Sequence, residues 1–403
     1  MTRGIGGSTA AAELAALAPW PDAAPAITTV ERHSRLARAQ ALMAEIGADA
    51  LVIGAGPSLR YFAGVAWNPT ERLVAMVLPR AGGPTLICPR FELGSLQAGL
   101  GIEAAIALWE EHESPYGLTA GILGELDAAT LAVDPALPFF AVDGLRLAAP
   151  GAALISAAPV VDGCRMIKSP AELALMSQAK AMTLEVQRRA ARILAPGITT
   201  AAVRRFIDQA HRALGADDGS SFCAVQFRLA SAYPHGLPGE QRLAAGDIVL
   251  IDTGCRVQGY NSDITRTYVF GQATREQRRV WDVEKKAQAA AFAAVRPGVP
   301  CEAIDAAARA VLEANGFGPD YALPGLPHRT GHGIGLAIHE APYLVRGDTT
   351  PLAPGMCFSN EPMIVIPDAF GVRLEDHFHV TEDGAAWFTE PQPSLDQPFR
   401  ETN

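Results

Sequence analysis

The sequence predicts an α+β protein, a larger part with its chemistry on strands, preceded by a smaller α/β domain. Three observations predict it. The chain has 403 residues, too many for one ordinary core. Residues 30–158 alternate helical and extended patterns. Beyond residue 165, two helical stretches lead into strands, and two more helices lead into strands again. The expected ranges are a flexible leader over 1–29, an α/β domain over 30–160 and the larger part over 165–403.

The elements follow from local patterns. "VERHSRLARAQALMAEI" at 30–46 has helical periodicity. "ADALVIG", "RLVAMVLP", "PTLICP" and "TLAVDP" read as strands, and "SLRYFAG", "LTAGILGEL" and "FFAVDGLRLA" as helices between and after them. Ser169-Pro170-Ala171-Glu172 is a capping box with proline at the first helical position, so a long helix starts there and runs to about Leu194. "APGITT" stops it, and a second helix covers about 199–214. "FCAVQFR", "GDIVLIDTG" and "DITRTYVFG" are strands; helices at about 274–295 and 301–315 are split by "RPGVP"; "GMCFSNEPMIVIP" and "GVRLEDHFHVT" are strands again. No fixed-period repeat is evident. "GIGGS" follows no strand and is not a phosphate loop.

Composition narrows the function. The net charge of −10 comes with no long basic run, which argues against nucleic acid or an anionic membrane as partner. The six cysteines are scattered without a CxxC pair, as expected of reduced thiols in a cytoplasmic protein. No apolar run reaches the ~18 residues of a membrane span.

Asp252, Asp263, His332, Glu361 and Glu375 each interrupt an apolar or glycine-rich segment. A carboxylate buried among β-branched and aromatic residues needs a metal, an arginine or several N–H donors. Asp252 and Asp263 are eleven apart across a turn, and Glu361 and Glu375 fourteen apart, so antiparallel strands can bring each pair together. Four converging carboxylates repel one another unless cations balance them. Hard oxygen donors with one imidazole suit Mn²⁺, Co²⁺, Fe²⁺ or Zn²⁺.

"IDTG…NSDITRT", "HRTGHGIGL…HE", "NEP" and "VRLED" resemble the signature segments of the pita-bread metallopeptidases, over about residues 165–385. That family includes methionine aminopeptidase, aminopeptidase P and prolidase, with metal-free creatinase as a relative. The preceding α/β domain resembles the N-terminal domain of the prolidase, aminopeptidase P and creatinase branch. The resemblance implies a pita-bread catalytic domain holding two divalent ions, Mn²⁺ first, with Co²⁺, Zn²⁺ and Fe²⁺ as alternatives. Asp252 would hold one ion, His332 and Glu361 the other, and Asp263 and Glu375 would bridge them. It further implies catalytic or substrate-facing roles for His235 in "SAYPHG", His339 in "AIHE" and Glu361 as general base. The implied partner is a small peptide with proline second, and the implied assembly a homodimer in which Trp67 of "RYFAGVAWNPTERL" would reach the other copy's pocket.

Strand parity adds its own expectation. Arg373, Glu375, His377 and His379 would share one face, so Arg373 would point at the metal pocket and grip a substrate carboxylate. An ordinary ion pair to an inner acid is the alternative for Arg373. Thr265 would share a face with Asp263 and bond it. His377 and His379 as a separate metal pair lack neighbouring ligands. Hydrolysis of Xaa-Pro dipeptides is the reading these residues favour. Aminopeptidase P activity on longer peptides, creatinase-like or lyase chemistry, and a non-enzymatic binding protein are the alternatives.

Overall fold

The computed structural model describes residues 4–400. It divides into two compact units, one spanning Ala26–Arg165, the other running from Met166 onward and including the segment that ends at Pro25.

The first unit is built on a six-stranded sheet, in the spatial order Ala105–Trp109, Thr85–Pro89, Ala75–Pro79, Ala50–Gly54, Thr130–Val133, Ala153–Ser156. Ala75–Pro79 runs antiparallel to both neighbours, and the remaining pairs are parallel. The central strands are continuous apolar runs because both faces are covered, and every residue of Ala50–Gly54 and Ala75–Pro79 is buried. The two edge strands lay outside the sequence reading. They are half exposed and lack the fully apolar pattern of the centre. Tyr61 is a core residue here: its hydroxyl donates to the Cys164 carbonyl at 2.8 Å and Arg35 stacks on its ring. Arg72 pairs with Glu111 at the surface.

The second unit opens with the helix Pro170–Arg192, capped by Ser169 and Glu172 as the sequence predicts. The segment expected to be a flexible leader is held. Thr9 caps a short helix, Ala10–Ala15. The Gly6 and Ser8 amides donate to the carbonyls of Ala191 and Arg192, and the Trp20 amide to that of Leu214. These carbonyls end two helices, and among the described residues those of Arg192 and Leu214 accept no other backbone amide, which is the physical reason the segment docks. Buried Glu13 also pairs with Arg189 at 3.2 Å.

The unit contains the same supersecondary pattern twice. Pro170–Arg192 and Thr200–Leu214 precede a sheet centred on Ile248–Val257, flanked by Ser220–Phe227 and Ile264–Val269. Arg275–Ala294 and Cys301–Ala314 precede a sheet ordered Glu340–Leu344, Gly331–Gly333, Cys357–Asn360, Asp376–Val380, Ala385–Trp387. The turns between the helices match in detail. The Gly197 amide donates to Leu243 O and the Gly298 amide to Leu352 O, both at 2.7 Å, and both glycines have φ +83°. Asp252 lies nine residues beyond Leu243, and Glu361 nine beyond Leu352. The duplication therefore places one acid of each half at an equivalent position.

Candidate active site

Each half contributes an acid on or just past a strand and an acid from a return segment. Asp252 sits on the central strand, where its register partner is Thr265. Asp263 immediately precedes the strand Ile264–Val269. Its approach depends on Gly254, where a Cβ would lie 1.9 Å from the Ser262 carbonyl oxygen. Glu361 directly follows Cys357–Asn360, and its amide donates to Thr330 O at 2.8 Å. Glu375 lies in a break between Phe370–Arg373 and Asp376–Val380, and its amide donates to Thr265 O at 3.2 Å. That contact joins the two halves at the site.

His332 occupies the centre of Gly331–Gly333. A Cβ at Gly331 would lie 2.1 Å from Ser359 O, and one at Gly333 2.4 Å from Glu340 O, so only glycine permits this close packing. The His332 ring is oriented by Nδ1 against Gly333 O at 3.0 Å. With Nδ1 turned to that carbonyl, Nε2 faces the acids, able to offer a lone pair to a metal or, without one, an N–H to Glu361. Nε2 lies 3.2 Å from Glu361 Oε1 and 3.9 Å from Asp263 Oδ2.

All five residues line one cavity of about 550 Å³, together with His235, His339 and Arg373. Ligand atoms of Asp263, His332 and Glu375 fall within 4.8 Å of one another. Asp252 Oδ1, Asp263 Oδ1 and Glu375 Oε1 are buried without hydrogen bonds among the described residues. Orphaned carboxylate oxygens are costly unless a cation or a proton satisfies them. Burial, reinforced by the neighbouring acids, pushes Asp263 and Glu375 well above the usual carboxylate range. Burial also works against ionised Glu361, but the hydrogen bond and charge of His332 outweigh it and hold Glu361 at about 2. The donor set fits divalent metal.

The structure changes several details of the expected geometry. Thr265 bonds Glu375, its hydroxyl lying 2.8 Å from Oε2, and not Asp263. The reason is register: Thr265, not Asp263, stands opposite Asp252 and faces the Glu375 break. Arg373 to His379 are not one strand. Phe370–Arg373 pairs with Met363–Ile366, whereas Asp376–Val380 belongs to the second half's sheet. Arg373 and Glu375 both reach the cavity, but His377 lies fully buried outside its lining. Arg373 already uses two of its donors, Nη2 to Asp252 and Nε to Thr265 Oγ1. Nη1 has no hydrogen bond among the described residues and is the nitrogen still fully open to a ligand. His328 and Arg329 also line the cavity, and sequence reasoning did not assign them. Their signal was their position in "HRTGHGIG", just ahead of His332. His328 and Pro234 further border an adjoining cavity of about 310 Å³ lined by Leu323, Val365 and Tyr233.

Residues 174–382 match metallopeptidase family M24, and residues 35–167 match the creatinase/prolidase N-terminal domain. The chain belongs to family M24. It is 40% identical over 360 residues to the probable dipeptidase PepE of Mycobacterium tuberculosis, covering 87% of this chain and 92% of that protein. The putative dipeptidase YkvY of Bacillus subtilis is 32% identical, covering 89% and 98%. Among solved structures, dipeptidase PepE from Mycobacterium ulcerans superposes with a TM-score of 0.84 at 38% identity, over 92% of this chain and 99% of that one. The prolidase from Thermococcus sibiricus gives 0.82 at 29%, over 91% and 98%. The expected pita-bread architecture with a creatinase-type N-terminal domain is therefore the observed one, and the chain is an M24 peptidase. The family implies divalent metal ions. Among the described residues no helix is long and apolar enough to cross a membrane, and all six cysteines are free.

Proposed function

We propose that this M24 peptidase is a dinuclear-metal hydrolase of the Xaa-Pro peptide bond, acting on dipeptides in preference to longer peptides, with manganese as the first candidate metal. The observation that carries the reading is the convergence of four carboxylates and His332 on one cavity, with buried carboxylate oxygens left unsatisfied. Asp252, Asp263, His332, Glu361 and Glu375 would hold the ions. When bound, they supply Lewis-acid polarisation of the scissile carbonyl and make water nucleophilic near neutral pH.

The side chains divide the remaining work. Glu361, kept ionised, takes a proton from the attacking water and delivers it to the proline nitrogen as the peptide bond breaks. His339 stands edge-on to His332, with ring centroids 4.2 Å apart, and burial lowers it to about 4. It is neutral at neutral pH and donates a ring N–H to the carbonyl oxygen as charge builds there. His235 faces the substrate from the exposed rim of the cavity. The Arg373 Nη1 group takes one oxygen of the dipeptide carboxylate, while Nη2 keeps Asp252 in place. A proline nitrogen carries no N–H after the bond forms, so recognition rests on shape, and the adjoining apolar cavity offers room for a side chain. The relatives described as dipeptidases and prolidases support the dipeptide form. A cytoplasmic homodimer is the setting we assign to it.

The test is a substrate panel on the Mn²⁺-supplemented enzyme and on Arg373→Ala with equal metal content. Ala-Pro should be cleaved faster than Ala-Pro-Xaa peptides, Ala-Pro amide poorly and creatine not at all. A charge-assisted hydrogen bond is worth ~1.5–3 kcal/mol, so Arg373→Ala should lower kcat/KM on Ala-Pro about 10- to 150-fold and leave the amide unchanged. Preference for longer peptides would establish the aminopeptidase form, and turnover of creatine alone would overturn the reading. Equal losses on acid and amide would reduce Arg373 to a brace for Asp252.

A further inference from the structure

His377 has no place in the chemistry described so far, and its surroundings are anomalous. It is fully buried, and neither ring nitrogen has a hydrogen bond among the described residues. A buried imidazole left unpaired on both sides is costly, because its nitrogens have lost water without gaining a partner. Its Nε2 lies 3.9 Å from Glu375 Oε1, which is itself buried and unpaired. Two orphans of complementary character thus face each other across a gap that a shift of roughly 1 Å would close to hydrogen-bond distance.

The sheet register shows that this position belongs to the site. His377 is the cross-strand partner of Ser359. Directly paired residues project to the same face of a sheet. Ser359 Oγ accepts the His332 amide at 2.9 Å and donates to Glu361 Oε1 at 3.2 Å. The same face therefore already supports one histidine and one acid of the constellation. Glu375 is supported on one oxygen only, by Thr265 on Oε2.

Resting on the metal-site reading above, we propose that His377 is a positioning residue that donates its Nε2–H to Glu375 Oε1 and fixes the rotamer in which that carboxylate binds divalent metal. Thr265 and His377 then hold the two oxygens from opposite sides and leave the remaining lone pairs for the ions. Such outer partners of a ligand are worth about 10- to 100-fold in metal affinity.

The test measures metal binding on the full-length chain, stripped with chelator and titrated with Mn²⁺ by calorimetry. Three variants serve: His377→Leu, which keeps the volume; His377→Gln, whose amide nitrogen can stand where Nε2 stands; and His377→Val, which suits a buried strand if the leucine variant does not accumulate. We expect the apolar variant to bind Mn²⁺ about 10- to 100-fold more weakly and the glutamine variant to stay within about threefold of the native protein. The melting temperatures of the metal-free forms separate lost positioning from lost packing. Native affinity in the apolar variant overturns the proposal, as do equal losses in the apolar and glutamine variants. Asp263→Ala is the reference: if the native chain binds no Mn²⁺, or binds it as well without Asp263, the metal-site reading itself fails, which is a different outcome.

Discussion

Asp263 and Glu375 share a buried space with two further acids, and the metal-free protein must hold protons there to limit repulsion. Both groups have folded-state values raised above the ordinary carboxyl range of about 4. Below that range both folded and unfolded chains are protonated, and the stabilising contribution is complete. As pH rises, the unfolded chain loses these protons first, the folded chain binds more, and stability declines until the folded groups ionise too. Metal-free protein should therefore lose melting temperature from about pH 4.5 upward, relative to the Mn²⁺-loaded form. Asp263→Asn should flatten that decline. Parallel melting curves for the loaded and stripped proteins across pH 5–8 would contradict the clustering of charge. At this scale much of the site was legible in the sequence. An acid amid β-branched residues needs a partner, and five such interruptions fall within one domain. What was hidden was pairing: nothing in "DITRT" says that Thr265 bonds Glu375, because that contact joins segments 110 residues apart.

Elements were predictable where the signal is local. The capping box at Ser169 and the proline at the next position set the start of the long helix. The stretch from Arg373 to His379 was not, because alternation assumes one continuous strand. The chain instead leaves a hairpin, passes Glu375 against Thr265, and enters another sheet. Glycine spacing carries similar information once the fold is known. Gly331 allows its strand to pack so closely on Ser359 that an added methyl group would overlap the backbone. Gly331→Ala should therefore cost at least about 2 kcal/mol and weaken Mn²⁺ binding by moving His332. Gly121, within the helix Pro115–Glu125, has open space around its Cβ position. Gly121→Ala should be neutral or stabilise by up to ~1 kcal/mol. Thermal melts and metal titrations of both variants check this pair, and equal effects would refute the packing argument.

Over the whole molecule, length and alternation were enough to divide the chain into a smaller α/β part and a larger α+β part. The docking of the segment before residue 26 is not legible in the sequence, because alanine and proline content says nothing about the open helix carbonyls it meets at Arg192 and Leu214. The duplication in the catalytic unit also emerged only in three dimensions. Its consequence is functional: each half delivers an acid nine residues beyond an equivalent leucine, and Glu375 closes the ring through Thr265. Acids gathered around one centre repel one another unless cations or protons balance them, and the M24 family implies divalent ions. The most direct test is activity against metal content in one titration. Chelator-stripped protein should be inactive on Ala-Pro, and activity should return with Mn²⁺ to a plateau near two ions per chain. Full activity in verified metal-free protein, or a plateau with no bound metal, would contradict the account.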